Sequence, residues 1–227
     1  MNTLPRLRIF IIALLVALVA IFPLRVAMTM VPSIVSARFV GGFVWGGRAV
    51  GAQIGGVPLG DLSVALSPLD LIRGQVRLRL EGAVRGALVG GLGSSGIDVE
   101  TMILPVARPI GGVTITQAEL TGARIRYRGG DCAEAEGQAA LVLLASQPGL
   151  MPGGRFSGPL RCDGALLEAP LVSQSAMDRL NVRFLPGGRY EATLITRAAD
   201  ENAATALRAA GLRETPAGFS IRVNGSF

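Results

Sequence analysis

Strict period-two alternation of apolar and charged residues constrains this chain most. Val76-Arg77-Leu78-Arg79-Leu80-Glu81 sets three aliphatic side chains on one face of an extended backbone and Arg77, Arg79 and Glu81 on the other. Arg124-Ile125-Arg126-Tyr127-Arg128, Leu180-Asn181-Val182-Arg183-Phe184, the stretch from Tyr190 to Leu194, and Phe219-Ser220-Ile221-Arg222-Val223 repeat the scheme. Such runs make a sheet with one dry and one wet face, which favours antiparallel pairing. Turn signals separate them at Gly129-Gly130-Asp131, Pro186-Gly187-Gly188 and Asn224-Gly225. Residues 101–120 and 139–145 read as further strands, and 86–96 as a strand with loose ends or a flexible connection. Gly41 to Gly47 reads as a short strand between tight turns, its Trp45 plugging one end of the sheet.

Two short helices interrupt the pattern. Ser67 suits the N-cap, Pro68 the first helical position and Gly74 the left-handed position past the end. Leu69 and Ile72 would face the core, with Leu71 flanking. Near the end, Asp200 can cap an Ala-rich helix over 202–210, with Gly211 as its stop and Leu207 as its main apolar contact. No fixed-period repeat and no long linker divides the chain.

From Ile9 to Leu24 no charge occurs, while Arg6 and Arg8 precede the run and Arg25 follows it. As a helix the run spans about 24 Å. Flanking residues bring it towards a hydrocarbon core of about 30 Å. It lacks the small-x-small site of a cleaved signal, so an uncleaved transmembrane anchor over 9–31 is favoured over a signal peptide. The positive-inside rule then leaves residues 1–8 cytoplasmic and sends 32–227 outward. The expected fold class is mainly β: a single N-terminal transmembrane helix, then an antiparallel, curved β-sheet domain with one or two short helices.

Every basic residue is arginine, and the formal charge is +6. The arginines alternate with apolar residues along strands and do not cluster, which disfavours a nucleic-acid partner. With no His and no Lys, Ser-His-Asp, Cys-His and Ser-Lys arrangements, Schiff bases and phosphate loops of the GxxxxGK type are impossible. No catalytic residue, cofactor or metal site is assigned. Asp131, Glu134, Glu136 and Asp163 flank the two cysteines and read as solvated turn residues. Cys132 and Cys162 both lie beyond the apolar run, where an oxidising compartment favours a disulfide. Two free buried thiols are the alternative, and zinc would need carboxylates to complete its shell.

The order of these elements resembles the family of the type II secretion system N component, or general secretion pathway protein N. The resemblance lies in the anchor and in Gly42-Phe43-Val44-Trp45-Gly46-Gly47, similar to G-T-[LV]-W-x-G. Leu59-Gly60 followed by Ser67 to Gly74 is similar to the family's P-x-x-L-L-x-G segment. Cys132 ahead of Glu136-Gly137, then Gly158 to Gly164 around Cys162, then Gly188-Arg189-Tyr190, the Ala-rich helix and terminal Gly225-Ser226-Phe227 complete it. Phe43 departs from the usual Thr, and Ser63-Val64-Ala65 stands where a tryptophan is often found. The resemblance assigns structural roles to Gly42, Val44, Trp45, Gly47, Pro68, Leu71, Ile72, Gly74, Gly158, Gly188, Tyr190, Gly225 and Phe227. It implies an inner-membrane protein, mostly periplasmic, without enzymatic activity. Such a protein is an accessory to the export of folded proteins across the outer membrane, in contact with other envelope components of that system. Self-association stays open. The rival expectation from the residues is a lipid- or apolar-ligand-binding groove, formed where a sheet curls over its dry face with little helix to cover it.

Overall fold

A computed structural model describes residues 21–24, 35–54, 57–110, 113–145 and 153–226. The strands are β1 (Val35–Ser36), β2 (Phe39–Phe43), β3 (Gly46–Ile54), β4 (Val57–Leu66), β5 (Val76–Gly82), β6 (Val84–Gly91), β7 (Ser94–Ile110) and β8 (Val113–Arg128). They continue with β9 (Asp131–Ala145), β10 (Gly154–Pro159), β11 (Arg161–Asp163), β12 (Leu166–Ser173), β13 (Arg179–Leu185), β14 (Arg189–Thr196), β15 (Arg213–Thr215) and β16 (Gly218–Ser226). Helix α1 is Pro68–Ile72 and α2 is Glu201–Ala209. The 16 strands form one sheet, and each pairs antiparallel with a near neighbour in sequence. The fold is thus a long meander, as period-two patterning with short turns demands. The expected antiparallel, mainly β domain with two short helices is what the described residues show. Among them, no helix is long and apolar enough to cross a membrane.

Register aligns the dry face row by row. Leu66, Leu78, Leu88, Ile97, Ile125 and Ala135 stand opposite one another across β4 to β9. Bulges near Arg85, between Pro105 and Arg108, and between Thr121 and Arg124 bend the long strands. The sheet therefore curls, and Val113 and Leu143 meet Leu180, Leu194 and Ile221 from strands far along the meander. Two apolar clusters result. One joins β7–β16 around Phe156 and Leu171, and the other joins Leu24 to β3, β4 and β6.

Three local readings are corrected. Gly41 to Gly47 is not a strand between turns: Phe43 pairs with Gly46, and Val44-Trp45 form the tip of the β2–β3 hairpin. Asn224-Gly225 is not a turn but lies within β16, opposite Glu191 and Tyr190. The 86–96 stretch is neither loose nor a connection: it is the β6–β7 hairpin, turning at Leu92-Gly93.

Helix α1 forms where expected, with Pro68 in its first turn and Gly74 at φ +73°. Its burial differs from expectation. It has no buried residue, Leu69 is 67% exposed and Ile72 84%. A five-residue helix on the rim has no opposing layer to accept these side chains. The Ser67 side chain makes no capping hydrogen bond. Helix α2 follows its expectation closely: Asp200 accepts from the Ala203 N–H at 2.8 Å, and Leu207 and Ala204 are buried.

Candidate functional site

The hairpin tip gathers three separate parts of the chain. Val44 is buried; its N–H donates to the Phe22 carbonyl at 3.0 Å and its carbonyl accepts from the Leu66 N–H at 2.9 Å. Pro23 pairs with Phe43, and Leu24 is buried against Gly47. Gly42 and Gly47 face each other, and a Cβ on Gly42 (φ +90°) would stand 2.8 Å from the Gly47 Cα. A Cβ on Gly47 would overlap the Leu24 side chain. The glycines therefore admit Leu24 and let the two backbones close. The end of the apolar run, Ile21 to Leu24, is bound to the sheet. The rest of the expected 9–31 span, residues 9–20 and 25–31, lies outside the described residues. Trp45 is partly buried at the tip, at one end of the sheet.

The wet face carries ladders of opposite charge. Arg161, Glu168, Arg183 and Glu191 stand directly opposite one another across β11, β12, β13 and β14. Arg222 on β16 lies 3.5 Å from Glu191. Glu168 is the centre, with its side chain only 2% exposed. One oxygen accepts from Asn181 Nδ2 at 2.6 Å and Arg183 Nε at 3.1 Å, and the other from Arg161 Nε at 2.9 Å and Nη2 at 2.7 Å. Burial pushes this carboxyl up, but hydrogen bonds from Asn181, Arg161 and Arg183 outweigh it and hold it below the usual range. Arg155 grips Glu119 with both Nη atoms, and that hydrogen bonding lowers Glu119. A second ladder runs Asp70, Arg77, Asp98, Arg126. In these ladders the arginines pair with carboxylates along the sheet, and their planar forks suit this geometry better than lysine.

Cys132 and Cys162 form a disulfide with Cα atoms 5.6 Å apart. It crosses from β9 to β11 where β10 has ended at Pro159. Beside it, the Cys132 N–H donates to Ala165 O and the Leu160 N–H to Gly137 O. The flanking acids are exposed, as expected, but they lie within β9 and β11 and not in turns; Asp163 pairs with Arg183 at 3.0 Å, and Glu136 lies 3.8 Å from Arg124. Among the described residues no three acidic or cysteine side chains gather to hold a metal ion.

The remaining family positions are scattered along the sheet. Gly158 lies in β10, where a Cβ would overlap the Pro170 carbonyl. Gly188 turns β13 into β14 at φ +72°. Tyr190 and Gly225 are opposite, and the Tyr190 ring lies across Gly225, where a Cβ would stand 2.5 Å from its hydroxyl oxygen. Pro68, Leu71, Ile72 and Gly74 belong to α1 and its end, and Phe227 lies outside the described residues. Glu168 and Leu24 were missed from sequence. One reads as an ordinary wet-face acid and the other as a membrane residue.

Over β8–β16 the dry face is filled by its own side chains. The cavity left there holds about 10 Å³, the room of a single water. An open cleft of about 320 Å³ lies at the sheet end, lined by Tyr127, Phe184, Pro186 and Arg189 among others. Burial raises the Tyr127 phenol.

This geometry defines a class: a disulfide-stitched antiparallel meander that presents charged faces and strand edges. The chain belongs to the type II secretion system protein N family, whose profile matches residues 34–222. It is therefore a component of the type II secretion system, working with the other components of that machinery. No curated protein and no solved structure matches the chain.

Proposed function

We propose that this protein is an accessory, non-enzymatic component of type II secretion. The apolar run expected as an anchor over residues 9–31 ties it to the inner membrane with the N-terminus cytoplasmic, and the β-domain works in the periplasm by holding other secretion components. The observation that carries this reading is the outer edge of β16. Its inner side pairs with β14 from Phe219 to Ser226, but β15 covers only Gly218–Ser220. Among the described residues, the outer side of Ile221–Ser226 has no strand beside it. An open edge offers backbone donors and acceptors to an added strand. The disulfide supports an oxidising compartment. The 10 Å³ cavity among Val113, Leu143, Leu180 and Leu194 leaves no room for an acyl chain there, which weighs against the groove reading. A photo-crosslinking residue at Arg222 or Asn224, both exposed, tests the proposal in intact secreting cells. Adducts with a secretion component, lost when the apparatus is deleted, are expected. Adducts only with unrelated envelope proteins would overturn it.

A further inference from the structure

We propose that one end of the sheet, over β2–β7, rests in the membrane surface as an apolar rim, with a lipid bilayer as its occupant. This rests on the membrane-anchor reading above. In an antiparallel meander every second connection falls at the same end. The β2–β3 tip, the α1 connection between β4 and β5, and the β6–β7 turn are therefore neighbours. The Leu66 N–H bond to Val44 ties the first two directly. Ile21 joins them, because the next residue, Phe22, accepts from Val44.

Large apolar side chains crowd this end without covering any core. Leu92 is fully exposed at the β6–β7 turn, and Leu69 and Ile72 project from α1. Ile21 and Phe43 are 60% and 50% exposed. Further along the same end the turns change character, to Gly129-Gly130, Gly164-Ala165 and Pro186-Gly187-Gly188. At this end of the sheet, among the described residues, the exposed apolar tips thus lie in the part where residues 1–20 join it. Those residues include the uncharged run Ile9–Ala20, which ends on the rim at Ile21 with no linker between. A membrane segment so placed holds the rim at the bilayer surface. There, apolar side chains bury at the boundary between headgroups and acyl chains. Arg73, its side chain 75% exposed beside Leu69 and Ile72, meets anionic headgroups.

The full chain in vesicles of phosphatidylethanolamine and phosphatidylglycerol tests this. With both native cysteines joined, Leu92→Cys or Met177→Cys adds a single labelling site; Met177 lies at the opposite end and is also exposed. An environment-sensitive fluorophore at position 92 should be quenched severalfold more by brominated lipid than one at 177. Leu69→Ser/Ile72→Ser/Leu92→Ser should keep flotation with vesicles, and a label at Phe43→Cys should lose its quenching in that background. Flotation with no quenching at 92 or 43 sinks the rim and leaves the anchor standing. Failure to float sinks both. A label at 92 that is shielded from water but unquenched by lipid, with crosslinked dimers, assigns the rim to a second copy and overturns the proposal.

Discussion

At the level of single residues, burial and hydrogen bonding decide roles that residue type leaves open. Glu168 occupies a wet-face position of an alternating strand, yet two arginines and Asn181 enclose it. Its folded pKa lies below its unfolded value, so its contribution is present above the unfolded pKa of about 4.3. That contribution is lost as pH falls through the lower folded value. Glu168→Gln should cost about 1–3 kcal/mol in urea unfolding at neutral pH, the partly exposed arginines keeping the figure modest. The gap from the parent should shrink towards pH 3; an unchanged gap would assign the loss to packing. Gly225 teaches the same lesson. Asn-Gly signals a turn through the freedom of its glycine. Here the missing Cβ makes space for the Tyr190 ring, a contact with a residue 35 positions earlier in the chain.

At the level of elements, ends were legible and faces less so. The ends of both helices and the Asp200 cap of α2 were readable because stop signals and capping are local chemistry, although Ser67 makes no capping hydrogen bond in α1. Apolar spacing implied burial for both helices, but only α2 buries apolar side chains, Ala204 and Leu207. Leu207→Ala should cost about 2–4 kcal/mol by urea or thermal unfolding. Leu69→Ser/Ile72→Ser should stay within about 0.5 kcal/mol of the parent. A large loss from the double substitution would mean that α1 covers a core after all. The Gly42 to Gly47 element was misread for a related reason. Its glycines close the hairpin on each other, and Gly47 also admits Leu24, which is not nearby in sequence.

For the whole molecule, the disulfide joins parts that the meander alone leaves free to part. It closes a separation of 30 residues, worth about 3–4 kcal/mol in the chain-entropy model. Cys132→Ser/Cys162→Ser should lower stability by about that amount, and thiol labelling of the denatured parent should appear only after reduction. Equal labelling with and without reductant would show two free thiols. The sequence by itself determined antiparallel strands with dry and wet faces, two short helices and the absence of His- or Lys-based chemistry. These follow from backbone periodicity and side-chain inventory, which neighbouring residues specify. Only the tertiary structure decided the strand order, and that the sheet curls until its dry face is filled over β8–β16 while Val76 and Leu88 stay exposed. It also decided that Leu24 belongs to a core and that Glu168 is enclosed. Leu69, Ile72 and Leu92 were left outside for the same reason, since each depends on which distant surfaces meet when bulged strands bend.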